Sequence, residues 1–255
     1  MKTSLLAWLI LPLALMAQGR SFYAKVEPYE TYEIKAATSG LVVSVQKSLE
    51  GKLVSQRETV IKLDDALEKS LLALDKKSLQ TTRERAEALL AAAKIKEENF
   101  KDIQSLKTKS KFQKDTEEVN AISAKISYLQ ALEQIYSLES QIAQRVDVIQ
   151  KKSLEAHNRY VYKIRVSEGD YVNAGTALMD LMDISQAKVV FFVSEEEAKS
   201  LPSKVLYVDG KKGEAKIEKL YRVADSEHVS EYRVEAVLPS AKFFSKLVKI
   251  ELKDE

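Results

Sequence analysis

The hydrophobic positions of this chain change their spacing twice along its length. Around residues 40 to 65 they alternate or cluster in short apolar runs about turn residues, as in "GLVVSVQKSLEGKLVSQRETVIKLDD". Beyond, they recur every three or four residues, and from about residue 153 the short runs return. Alternation marks half-buried strands and the three-to-four step marks helices. A shift of 118 positions lays Gly40 to Asp65 without gaps over Asn158 to Asp183, "NRYVYKIRVSEGDYVNAGTALMDLMD". The six identities are Val43/Val161, Glu50/Glu168, Gly51/Gly169, Val54/Val172, Leu63/Leu181 and Asp65/Asp183. Each copy reads as strand, turn, strand, with the glycine suited to a turn of positive φ. An internal repeat separated in this way predicts two halves of one β-module, completed as a sandwich of eight short strands.

Between the halves neither Gly nor Pro occurs from Lys52 to Glu168, and Ala, Leu, Glu, Lys, Gln and Ser dominate. That composition favours long helices. Leu72, Leu79, Ala86, Ala93 and Phe100 recur every seven residues, with Leu89, Leu90 and Ile103 beside them. Arg83/Glu87, Lys94/Glu98 and Glu97/Lys101 place opposite charges four apart. Downstream, Ile122, Ile126, Leu129, Leu132, Ile135, Leu138, Ile142, Val146 and Ile149 read as one stripe. A single helix of about 85 residues would be roughly 130 Å long and would separate the β-halves, whereas two arms of about 60 Å would reunite them. The bend falls in "SLKTKSKFQKD", Ser105 to Asp115, where Ser110 can cap the second arm.

Charge and composition act here by exclusion. Lys and Arg exceed Asp and Glu by two, so the basic field that nucleic-acid binding needs is missing. At the N-terminus Lys2 precedes "LLAWLILPLALMA", with Leu15 and Ala17 at the −3 and −1 positions of a cleavage site. This predicts a signal peptide over 1–17 and export to the periplasm, with retention as an inner-membrane anchor the alternative. The sequence has no Cys, which removes disulfides, thiolate metal sites and lipid attachment at an N-terminal Cys. His157 and His228 fall in different predicted domains, and no Gly-rich phosphate loop occurs. Met179 and Met182, an odd number apart on a strand, point to opposite faces and do not make a thioether metal site. No catalytic, cofactor-binding or metal-ligating residue is predicted, and the chain is not read as an enzyme.

Two half-motifs flanking a helical hairpin resemble the periplasmic adaptor, or membrane fusion protein, family (HlyD-type) of tripartite efflux pumps and type I secretion systems. The split module of that family is similar to biotinyl and lipoyl carrier domains. In "IKAATSGLVVSVQKSLEGKLVSQRETVIKLDD" the resemblance rests on Ser39, Gly40, Gly51, Leu63 and Asp64; in "VSEGDYVNAGTALMDLMDI" it rests on Gly169, Asp170, Val172, Gly175 and Leu178. Gly40, Gly51, Gly169 and Gly175 are the structural turn positions it implies. The carriers bear their cofactor on a Lys in the hairpin between the halves; here that hairpin is replaced by the helical insertion, so no cofactor is expected.

The resemblance implies an elongated α+β multi-domain chain with a long α-helical hairpin inserted into a split lipoyl/biotinyl-like β-sandwich, followed by a small β-barrel. The expected segments are an N-terminal strand joining the barrel (18–34), the split module (35–65 and 153–183), the hairpin (66–152, tip about 103–112) and the barrel (184–255). Barrel strands are read in "AKVVFFV", "KVLYVDG", "GEAKIEKLYRV", "YRVEAVL" and "LVKIELK", with a short helix in "SEEEAKSLP". Family members that dock on an outer-membrane duct carry at the tip an Arg, a Leu four residues on and a Ser seven after that. Asn99, Ile103 and Ser110 stand at this spacing, followed by Lys111 and Asp115 of the usual tail. Asn99 in place of Arg removes a charge-assisted, bidentate contact. Ser110 also suits a helix cap, and Ile103 also suits packing of the hairpin. The resemblance implies an adaptor linking an inner-membrane transporter to an outer-membrane channel and self-associating into a ring, with no nucleic acid bound. A periplasmic coiled-coil scaffold that self-associates without a transporter is the alternative.

Overall fold

The computed structural model describes residues 21–224, 227–239 and 241–254. The signal segment 1–17 and residues 18–20 of the N-terminal strand lie outside them. Contacts divide the chain into two units, 32–181 and the flanking segments up to 31 and from 182. Strand β1 (Ser21–Lys35) contributes residues to both. The central unit continues through β2 (Gly40–Val45), β3 (Leu53–Val54), β4 (Glu58–Leu63), α1 (Ala66–Ser105), α2 (Lys111–Lys151), β5 (Ser153–Ala156), β6 (Arg159–Ile164), β7 (Tyr171–Val172) and the first residues of β8 (Ala177–Ser194).

The two repeat copies complete each other. One sheet runs β5-β4-β2-β7, while β6 pairs with β3 and β8, so each set of paired strands draws on both halves. At the first turn Gly51 N–H donates to Val161 O (2.8 Å) and Val161 N–H returns a bond to Lys52 O (3.0 Å). At the second, Gly169 N–H donates to Val42 O (2.9 Å) and Val42 N–H to Asp170 O (2.8 Å). Each turn is therefore clasped by the strand of the other half. Gly51 and Gly169 have φ of 78° and 92°, a region where a Cβ is strained. Gly175 also has positive φ, but Gly40 does not: it opens β2, where an added Cβ would stand 3.4 Å from Leu63 Cβ. Gly40 is thus a strand residue in ordinary contact range of Leu63 rather than a turn residue.

The exchange also corrects the ungapped alignment. The counterpart of Val161 is the buried Val42; Val43, its identity in sequence, faces outward. The first copy carries one more residue between strand and turn, housed in a 3-10 turn at Lys47–Leu49, and β2 is irregular between Val42 and Ser44. Val42, Val54, Val60, Ile61, Leu63, Val161, Val172, Leu178 and Met179 fill the module core.

The insertion starts and ends at one place. Asp64 Oδ1 accepts from Ala66 N–H (3.1 Å) at the first turn of α1, and the buried Asp65 pairs with Lys69 (2.9 Å) and Lys62 (3.7 Å). After α2, the nearly buried Lys152 donates from Nζ to Asp64 O (2.7 Å) and Glu68 Oε1 (2.5 Å), while its own carbonyl accepts from Leu63 N–H (2.8 Å). The arms of 40 and 41 residues are each about 60 Å long at 1.5 Å per residue. Their seam is narrow: Ala86, Ala131 and Ile135 are buried, with Leu79, Leu89, Tyr128 and Leu132 packed beside them. Arg83 reaches across to Glu139 (2.6 Å) instead of pairing with Glu87, and Arg145 pairs with Asp75. The α1 heptad lies on this seam. In α2, Ile122, Ile126 and Leu129 do not; they are exposed, and the stripe read as continuous is two faces.

The second unit completes the chain with the rest of β8, α3 (Glu195–Ser200), β9 (Lys204–Val208), β10 (Lys211–Lys212), β11 (Lys216–Leu220), β12 (Glu231–Pro239) and β13 (Leu247–Asp254). Its strands run β10-β9-β13-β1-β8-β12-β11 around a core of Phe22, Val26, Val189, Phe191, Val234 and Ile250. Alternation decides which residues enter: Phe22, Ala24 and Val26 of β1 face Val248, Ile250 and Leu252 of β13. Among the described residues no ladder joins β10 to β11, so the small barrel is not closed by hydrogen bonds there. Ser194 and Glu197 form a capping box that starts α3.

The base clamp generates a prediction. Lys152→Met removes the ammonium and leaves two acceptors without it, which should destabilise the central unit by about 2 kcal/mol at pH 7. The Lys152 hydrogen bond holds the Glu68 carboxyl below its ordinary pKa, against the opposing effect of burial. A lowered pKa stabilises above the unfolded value and is lost as pH falls through the folded one, so the deficit should shrink below about pH 4. Urea titrations followed by circular dichroism at both pH values measure it; an equal deficit at both would refute the clamp.

Candidate functional site

The end of the hairpin is built by complementary caps. α1 closes with Leu106 N–H donating to Ile103 O (3.2 Å). Residues 106–110 turn the chain, and Ser110 caps α2: its Oγ accepts from Gln113 N–H (3.3 Å), while Gln113 Oε1 accepts from Ser110 N–H (3.1 Å). This reciprocal box satisfies two of the donors that a helix start leaves open. Lys114 then reaches back from α2 to donate to Gln104 O (2.8 Å), placing a cation on the carbonyl end of α1. The short loop is thereby held at both ends.

Of the residues predicted for the tip, Ile103, Ser110 and Lys111 gather around this loop, Ile103 half-buried and the other two exposed. Asn99 is exposed on α1 six residues before the helix ends, about 9 Å further down the arm. The pattern left out the two apolar side chains that the loop presents to solvent. Phe112 is 80% exposed and Leu106 is 44% exposed. Their signal was an apolar residue on each side of "KTKSK", where a solvated turn calls for none.

Phe112 also begins a longer feature. Phe112, Val119, Ile122, Ile126, Leu129 and Tyr136 are all exposed, at successive steps of seven, three, four, three and seven. This is the a/d spacing of a coiled-coil seam. At 100° per residue it lies about half a turn from Ala124 and Ala131, on the side of α2 turned away from α1. Ile122 and Ile126 are 52% and 49% exposed, so no cover for the ridge is found among the described residues.

Elsewhere the chemistry is sparse. Among the described residues no group of three or more His, Asp or Glu side chains is placed to hold a metal. Met179 is fully buried in the module core. His157 is exposed beside Asn158, and the His228 ring stacks on Phe192 at 3.6 Å between centroids. No helix of the described residues is long and apolar enough to cross a membrane.

Ser110 can therefore act as a cap, as a contact, or as both, and substitution separates them. Ser110→Asp keeps a capping acceptor while changing the presented group; Ser110→Ala removes the cap at about 1 kcal/mol. With partner capture at the tip as readout, a pure cap predicts that Asp retains capture and Ala weakens it. A contact through the hydroxyl predicts that both lose it.

No protein-family model and no curated protein matches this sequence. Solved structures do. MacA from Actinobacillus actinomycetemcomitans superposes with a TM-score of 0.75 at 16% identity, over 93% of this chain and 80% of that one. The membrane fusion protein Spr0693 from Streptococcus pneumoniae R6 gives 0.68 at 12% identity, over 92% and 99%. A putative efflux transporter from Bacteroides eggerthii DSM 20697 gives 0.59 at 16% identity, over 91% and 68%. With its long helical hairpin set into a split β-module and a small β-barrel formed around it in sequence, the chain has the fold of these solved membrane fusion proteins.

Proposed function

We propose that this chain is the periplasmic adaptor of a tripartite exporter, linking an inner-membrane transporter to an outer-membrane channel. The observation that carries the reading is the closed hairpin. Two arms of about 60 Å leave and re-enter the module at one clamp, so the chain spends about 85 residues on projecting a short lysine-bearing loop flanked by the exposed Leu106 and Phe112. The tip, with Ile103, Ser110, Lys111 and the exposed Phe112, meets the channel; the module and barrel meet the transporter. The work is assembly and sealing, without catalysis.

Self-association into a ring belongs to the same reading. The ridge from Phe112 to Tyr136 has the period of a helix partner and carries six exposed large apolar or aromatic side chains along one face of α2. A helix of a neighbouring copy covers it. A head-to-tail contact of this kind closes into a ring when the rotation permits.

In-cell crosslinking followed by purification of the tagged full chain tests both parts. The expected catch is an inner-membrane transporter, an outer-membrane channel and further copies of the chain. Ile122→Lys with Ile126→Lys should reduce self-capture at least tenfold without loss of helix signal, because neither residue lies in the seam. Self-capture alone, with neither membrane partner, would establish the scaffold reading; undiminished self-capture in the double variant would remove the ridge from the ring.

A further inference from the structure

The barrel unit holds a groove of about 620 Å³ that neither the hairpin nor the ring explains. Its floor is apolar, made by Val26, Ala187, Leu238 and Val248. One wall is the segment 241–246, tied to β1 by Ser245 N–H to Val26 O (2.7 Å) and Val26 N–H to Lys246 O (2.8 Å). Ser245 takes a φ of 66°, an uncommon conformation for a residue with a side chain, and the wall is held in place by these two bonds. Phe244 packs against the barrel core, but its neighbour Phe243 is left 75% exposed at the rim of the groove.

The charges at the rim are unequal. Lys246 lies 3.1 Å from Asp209 Oδ2, and Asp209 is held below its ordinary pKa first by the Lys249 N–H and then by Lys246. Lys211 lies 3.6 Å from Glu214. Lys242 sits 5.9 Å from the centroid of the Phe243 ring, and among the described residues no carboxylate is within ion-pair distance of it. The rim thus carries one uncompensated ammonium beside an exposed ring, over an apolar floor of a volume ordinary for small-molecule sites.

We propose that this groove binds a single-chain anionic amphiphile of the fatty-acid type. The tail covers Phe243 and the apolar floor, and the carboxylate pairs with Lys242. A neutral head of equal chain length leaves the ammonium unanswered, so the groove discriminates by head charge. This inference stands apart from the adaptor reading and survives its failure.

The experiment is calorimetric titration of the purified full chain with dodecanoate and with dodecyl maltoside, each below its micelle concentration. Saturable dodecanoate binding is expected, at least tenfold tighter than dodecyl maltoside. Lys242→Glu should weaken dodecanoate about tenfold and leave the maltoside unchanged; Phe243→Ser should weaken both. Both side chains are exposed, so circular dichroism should show an unchanged fold. Absence of saturable binding, equal affinity for the two probes, or indifference to both substitutions would overturn the proposal.

Discussion

Each half of the split module is unsatisfied without the other. The turn at Gly51 takes its hydrogen bonds from Val161, and the turn at Gly169 takes its own from Val42. A buried backbone group left unpaired costs as much as a lost hydrogen bond, so the chain must bring residue 161 to residue 51 before the module can close. Any insertion between them has to end where it began. An antiparallel pair of helices does this at whatever length the arms are given, and Lys152 fixes the place by bonding to Asp64 and Glu68 at the foot of α1. The length of the hairpin is thus free to serve reach, while the exchange of turns fixes its base.

The seam between the arms is narrow. Ala86 and Ala131 let the helices approach at its centre, with Ile135 buried beside them and Leu79, Leu89, Tyr128 and Leu132 packed alongside. The large apolar residues toward the tip of α2, Phe112, Val119, Ile122, Ile126 and Leu129, lie off this seam and are exposed. This is the physical reason for assigning the ridge to another copy: it has the spacing of a packed helix face, and among the described residues no helix packs on it.

Much of this was legible in the sequence because periodicity and turn chemistry are local. The α1 heptad through Leu79, Ala86 and Ala93 lies on the seam, Ser110 caps α2, and the glycines at 51 and 169 have positive φ. What failed was the choice of neighbour. Apolar period says that Ile122, Ile126 and Leu129 share a face, not which partner that face meets, and alanine carries too little hydrophobic weight to announce the true seam at Ala124 and Ala131. The Val43/Val161 identity misled for a related reason: an ungapped comparison cannot register the extra residue that the 3-10 turn at Lys47–Leu49 absorbs. The exposed Leu106 and Phe112 at the tip stand outside the Asn99, Ile103 and Ser110 spacing, so that pattern does not reach them. The groove beside Lys242 depends on Ser245 and on strands distant in sequence, which no local pattern joins.

In the proposed adaptor one molecule touches two membrane proteins through different elements. The native chain has no Cys, so single thiols can be placed cleanly, one by Lys111→Cys at the tip and one by Tyr23→Cys on the exposed face of β1. In living cells a short thiol-reactive crosslinker should join the first to an outer-membrane channel and the second to an inner-membrane transporter. Capture of nothing but further copies of this chain from the tip position would contradict the account.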